Sequence, residues 1–209
     1  MRAVIACVEF DDYLAVSLPA WQQVLDPEVH LVVVTAPHDI ATKAVAAECA
    51  VPVIETMAWY TDGASFNLAA AFDAAFAGAR PGERCLALDA DVVPAGTLPC
   101  AEAIEPHTVY GVRRYETTPT GLVLAPPANL PYIEQHGRAD SPEACAGYFQ
   151  LFRYDPARSF GSYPTAATYD YEFAFSFDHG VTLDGLTATH LGERHRNWAG
   201  RVSPRLEAS

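Results

Sequence analysis

The stretch from Arg84 to Pro94, Arg-Cys-Leu-Ala-Leu-Asp-Ala-Asp-Val-Val-Pro, is a short apolar run that stops at two carboxylates one residue apart. Side chains alternate faces along a strand, so Asp89 and Asp91 point the same way where the strand leaves its sheet, and both can reach one cation. Hard oxygens suit Mg²⁺ or Mn²⁺, which take only one or two protein carboxylates and complete their shell with water and phosphate oxygens. The apolar residues before the pair and Pro94 after it put the carboxylates at a strand's carboxyl end, where open α/β sheets bind ligands. The same two residues would also suit the cap of a turn or of a following helix, so the rest of the chain has to decide.

Upstream, apolar runs alternate with helical periodicity. Ala3 to Val8 reads as a buried strand. Asp11-Asp12 then offers an N-cap to a helix carrying Leu14, Leu18, Trp21 and Leu25, which Pro19 is expected to kink or shorten. Val29 to Thr35 reads as a second strand, Asp39 caps a helix running to about Cys49, and Val51 to Ile54 gives a third strand. After Thr61-Asp62-Gly63, the residues Leu68, Phe72, Ala75 and Phe76 mark a helix that Gly78 and Pro81 close. This alternation implies a parallel sheet.

Beyond Asp91 the pattern changes. Thr108 to Tyr115, Gly121 to Ala125 and Ala146 to Arg153 are short strand candidates without long helices between them, so the second half is expected to be mixed or antiparallel. Pro119 to Pro131 reads as a surface excursion. Tyr169 to Phe177 reads as a helix with Asp170 and Glu172 near its start, and His190 ends a strand-like segment. The expected architecture is one α/β domain over residues 1–209, with a ligand-binding half (1–94) and a second half ending in a basic tail (95–209).

With 209 residues, 50% of them hydrophobic and 19% charged, the chain can bury a substantial core. It holds no run of eighteen apolar residues and no signal-peptide pattern, so no membrane association and a cytoplasmic location are expected. Five widely spread cysteines, with no Cys-x-x-Cys and no zinc spacing, are expected to be reduced and mostly buried. A net charge of −13 disfavours nonspecific nucleic-acid binding.

Three groups of residues carry chemistry. Asp170 and Glu172 include a candidate general base, or else serve as helix-start acids complementing the dipole. His190 is a candidate third ligand beside the two Asp, or a hydrogen-bonded structural residue. Nine of the thirteen basic residues lie from Arg113 onward, and Arg194, Arg196, Arg201 and Arg205 crowd the tail, where guanidinium forks could clamp a pyrophosphate.

The run Cys85 to Pro94 resembles the Asp-x-Asp strand of GT-A glycosyltransferases. Four further stretches, in matching order along nearly the whole chain, resemble small family-2-like glycosyltransferases of bacteria and phages. They are Thr61-Asp-Gly-Ala-Ser-Phe-Asn67, Gly147-Tyr-Phe-Gln-Leu-Phe152, Tyr169-Asp-Tyr-Glu-Phe-Ala174, and His190-Leu-Gly192 with Asn197-Trp-Ala-Gly-Arg201. The resemblance implies a GT-A, Rossmann-like mixed sheet flanked by helices. It also implies an enzyme that moves a sugar from a nucleotide-diphosphate sugar, UDP- or GDP-linked, with Mn²⁺ or Mg²⁺.

By that resemblance Asp89, Asp91 and His190 hold the metal, and Asp170 or Glu172 is the acid near the acceptor. Thr35, Asp62, Asn67, Asp89, Arg194 and Arg201 contact the donor. The acceptor it implies is a saccharide, a small molecule or a modified base such as a hydroxymethyl pyrimidine in phage DNA. Two departures stand out: the second strand ends Val34-Thr-Ala-Pro-His-Asp39 without the family's frequent Asp pair, and Leu68 stands where Lys is expected.

Two rival readings remain. Leu86 to Val93 also fits the nucleophile strand of a haloacid dehalogenase-like phosphatase, but that enzyme wants a downstream Lys, and the chain's one lysine is Lys43. A noncatalytic nucleotide-sugar-binding protein would use the same pocket without turnover.

Overall fold

The first apolar run forms β1 (Arg2–Ala6), buried from Ala3 onward, and the chain then enters helix α1 (Asp11–Val24). The structure is a computed structural model describing residues 1–98, 104–117, 123–124, 142–145, 147–191 and 196–206. Helix α1 continues through Pro19 for five more residues. A proline inside a helix costs about 3 kcal/mol, but the buried stripe of Leu14, Ser17, Leu18 and Trp21 anchors the helix on both sides of it. Ala15, whose carbonyl the ring would leave without a donor, is exposed to water.

Strand β2 (His30–Thr35) leads to α2 (Ile40–Glu48), where Asp39 accepts from the Thr42 amide as the sequence predicts. Strand β3 (Val53–Glu55) follows, then a 3-10 turn (Ala58–Gly63) and α3 (Leu68–Phe76), which Asn67 caps through the Ala70 amide. Strand β4 (Arg84–Asp89) carries the first acid.

The remaining strands are β5 (Val92–Gly96), β6 (Thr108–Thr117), β7 (Val123–Leu124), β8 (Phe149–Arg153) and β9 (His179–His190), with helix α4 (Tyr169–Phe175) before the last. Of the strand expected over Gly121 to Ala125, only β7 lies within the described residues, as do only two residues of the Pro119 to Pro131 excursion. Neither β5 nor the full length of β9 is evident from sequence. Pro94 argues against a strand, yet among the described residues β5 is the last strand of the sheet and pairs only with β9, where a missing amide is tolerated.

One sheet runs β3-β2-β1-β4-β8-β6-β9-β5, with β7 beside β6. The β3-β2-β1-β4 half is parallel. Beyond β4 the pairing is mixed: β8 is antiparallel to β4 and β6, and β9 is parallel to β6 and antiparallel to β5. An aromatic cluster of Phe72, Phe76, Phe152, Phe160 and Phe173 locks α3, β8 and α4 together, with the Phe160 and Phe173 rings 3.7 Å apart. The cysteines at 7, 49, 85 and 145 are free thiols. Among the described residues no helix is long and apolar enough to cross a membrane.

Candidate active site

Asp89 ends β4 and Asp91 follows two residues later, in a turn fixed by α1. Ser17 Oγ donates to the Ala90 carbonyl at 2.6 Å and Trp21 Nε1 to the Val92 carbonyl at 2.8 Å, both fully buried. The Leu191 amide donates to the Asp91 carbonyl at 2.8 Å, which brings the end of β9 against the same turn. Backbone bonds of this kind hold the turn whatever its side chains do.

The turn opens into a cavity of about 170 Å³ whose polar lining includes Asp89, Asp91, Arg114, Asp170, His190 and Arg196. Asp89 Oδ1 accepts from the buried Tyr169 hydroxyl at 3.1 Å. Burial, then the neighbouring Asp91 and Asp170 charges, push the Asp89 carboxyl well above the ordinary aspartate range. Asp91 Oδ2 lies 3.0 Å from His190 Nε2. Burial alone would lower the His190 pKa, but the charge and hydrogen bond of Asp91 outweigh it and the net shift is upward.

Asp170 enters from the first turn of α4. The fully buried Gln150 on β8 donates to its carbonyl at 2.8 Å. Burial raises its carboxyl to about 6, against the opposing Tyr171 amide and Arg114 charge. Glu172, two residues on, is exposed and does not line the cavity. The divergence follows from helix geometry, since neighbours at i and i+2 point about 200° apart.

The donor contacts implied by resemblance fare differently. Thr35 is buried at the end of β2, where its hydroxyl donates to Asp39 at 3.4 Å. Asp62 is exposed in the 3-10 turn at φ +57°. Asn67 is buried; its Oδ1 accepts from the Ala70 and Tyr163 amides and its Nδ2 donates to Ser162. None of the three lines the cavity.

Arg194 lies outside the described residues. Arg201 faces away from the cavity: it forks onto both Asp12 oxygens, donates to the Glu9, Ser203 and Pro204 carbonyls, and packs over Phe10 and Tyr13. Although burial pushes Asp12 upward, the Arg201 hydrogen bond and charge hold it below the usual range. Arg205 likewise meets Asp11. Among the described residues, the tail arginine that lines the cavity is Arg196, joined by Arg114 and Trp198. No sequence signal marks Arg114, because its place depends on the β6–β9 register.

Among the described residues no three His, Cys, Asp or Glu side chains form a ready metal-ligand group. Asp89 turns to Tyr169 and Asp91 to His190. The donor set nevertheless fits a hard divalent cation through Asp91, whose Oδ1 is buried without a hydrogen-bond partner among the described residues. An orphaned carboxylate oxygen on a residue that lines a polar cavity is a ready acceptor for an incoming cation.

The fold is that of the GT-A glycosyltransferases. The chain is similar to residues 1–349 of S. aureus TarS in complex with UDP-GlcNAc (TM-score 0.64, 15% identity), over 93% of this chain and 59% of that one. It is also similar to a mycobacterial protein (TM-score 0.55, 15% identity; 93% of this chain, 68% of the other). A third likeness is to the galactosyltransferase LgtC in complex with donor and acceptor sugar analogues (TM-score 0.50, 13% identity; 87% of this chain, 73% of the other). The chain thus spans about three fifths of the length of the TarS fragment it matches. No family model and no curated protein matches the sequence.

Proposed function

We propose that this chain is a metal-dependent glycosyltransferase that moves a sugar from a UDP- or GDP-sugar to an acceptor hydroxyl. The observation that carries this reading is the convergence of the Asp-x-Asp turn and a separate acid, Asp170, on one cavity of a GT-A scaffold. In this reading Asp91 and His190, with Asp89 beside them, hold Mn²⁺ or Mg²⁺. The cation, when bound, supplies charge neutralisation to the departing diphosphate.

The chain's own groups do the rest. Asp170 accepts the proton of the acceptor hydroxyl as its oxygen bonds to the anomeric carbon. The bond from that carbon to the diphosphate oxygen breaks, and the nucleoside diphosphate leaves with the electron pair. A carboxyl near pKa 6 is ionised at neutral pH yet basic enough to help. Tyr169 holds Asp89, and Arg196 adds positive charge at the leaving-group side. Glu172 stands outside this chemistry, and Thr35 and Asn67 support the scaffold.

The UDP-GlcNAc of the TarS complex makes UDP-sugars the first donors to test. The acceptor is a saccharide, a small hydroxylated molecule or a hydroxymethylated DNA base, and the expected setting is cytoplasmic. The test is a UDP- and GDP-sugar screen with Mn²⁺, first for hydrolysis and then with these acceptors. Donor-dependent release of UDP or GDP supports the reading, and tight nucleotide-sugar binding without any release would favour the noncatalytic alternative. The phosphatase alternative is disfavoured because Lys43 is tied to the Pro37 carbonyl and Glu55, away from the cavity.

A further inference from the structure

Asp170 is not held by its own helix alone. Gly147, just before β8, has φ +103°, and a Cβ there would lie 2.1 Å from an Arg114 guanidinium nitrogen and 3.5 Å from Asp170 Oδ2. The two charges therefore meet over bare backbone, within about 6 Å of each other, the range in which an opposite charge favours a carboxylate. The Arg114 guanidinium also lies 4.3 Å over the Tyr148 ring. Tyr148 stacks on His190 at 4.4 Å and 6°, and His190 meets Asp91.

A continuous column thus runs from Asp170 through Arg114, Tyr148 and His190 to Asp91. Its register is set by an irregularity: β6 and β9 pair regularly to Val112–Leu183, then resume at Arg113–Thr187 with residues 184–186 looped out. That shift brings Arg114 opposite Ala188, two residues before His190. The other charged groups facing Asp170 across the cavity are Asp89 and Asp91 from the β4–β5 turn, His190 from β9 and Arg196 from the tail.

We propose that Arg114 is a positioning residue: clamped between Tyr148 and Gly147, it holds the Asp170 carboxylate aimed at the acceptor hydroxyl. Gly147 leaves room for the guanidinium, because a Cβ there would push Arg114 aside. The kinetic consequence rests on the glycosyltransferase reading, whereas the geometric one does not.

The test compares Arg114→Ala, Arg114→Lys and Gly147→Ala in the full chain. Arg114→Ala and Gly147→Ala should lower kcat for transfer by about tenfold or more with donor KM nearly unchanged, the signature of lost positioning rather than lost binding. Arg114→Lys should retain part of the rate. Added guanidinium ion should restore several-fold of the Arg114→Ala activity and none of an Asp170→Asn variant. A donor KM that rises in step with the fall in kcat, or an absence of guanidinium rescue, overturns the proposal.

A crystal structure of Arg114→Ala reads the carboxylate without turnover. Asp170 should leave its wild-type position, and an unmoved Asp170 overturns the proposal whatever the activity. A displaced Asp170 in a protein whose wild type transfers no sugar would remove the glycosyltransferase reading and leave the positioning role standing.

Discussion

The two walls of the cavity are built differently: one extends a paired strand, the other rides a short helix. On the proposed donor wall β4 is paired on both sides, the Leu191 amide binds the Asp91 carbonyl, and the Ser17 and Trp21 side chains bind the Ala90 and Val92 carbonyls. On the acceptor wall, Asp170 rides a seven-residue helix held by side chains, namely the Gln150 amide, the Phe160–Phe173 stack and the Arg114 charge. The backbone of the first wall is thus set by its strand, although the Asp89 and Asp91 side chains meet Tyr169 and His190. On the second wall the place of Asp170 depends on the side chains packed against its helix.

The sharpest contrast is a change of charge on the donor wall. Asp91→Asn should abolish Mn²⁺-dependent UDP or GDP binding, measured by calorimetry, in a protein that remains folded, because the amide keeps the shape and loses the charge. On the acceptor wall, Asp170→Asn should lower kcat by about 10² or more with donor binding little altered, whereas the exposed Glu172→Gln should do far less. Because Asp170 must be ionised to accept a proton and its carboxyl is raised to about 6, kcat should climb as pH rises through that value and level off above it. A flat profile across pH 5–7 would remove Asp170 as the base.

Supporting residues separate the walls further. Gln150→Ala should cost about 1–3 kcal/mol of stability by stranding the Asp170 carbonyl and should lower kcat about tenfold through a loosened α4. Ser17→Ala removes a bond of similar burial, but the turn keeps its other anchors, so about 1 kcal/mol should be lost and kcat should stay within about twofold. Equal kinetic effects would erase the distinction. The smallest effect on function is expected from Arg201→Ala: with its fork on Asp12, it should lower the melting temperature and leave nucleotide affinity alone.

This contrast also sorts what was legible in the sequence. Elements set by local spacing announce themselves: the apolar run into Asp89, the Asp39 cap of α2 and the Leu68–Phe76 stripe all follow from a few residues. Asp170 was readable as a helix-start acid. The partners that position it were not, because Arg114 reaches it only through a register shift in a strand pair whose Gly180, Asp184 and Gly185 read as turns. The division of labour in the Arg-rich tail was hidden for a similar reason. Composition shows guanidinium groups but not that Asp11 and Asp12, some 190 residues earlier in the chain, take two of them. Asn67, similarly, reads as a polar contact in a motif and folds as a cap.

In the proposed reaction the two walls act on one bond, and a time-resolved ¹H NMR assay of a UDP- or GDP-sugar with Mg²⁺ and an acceptor panel reads that bond directly. The predicted result is disappearance of the donor anomeric signal with a product of inverted configuration, lost in both Asp91→Asn and Asp170→Asn. A product that retains the donor's anomeric configuration, or undiminished turnover in the Asp170→Asn variant, would contradict it.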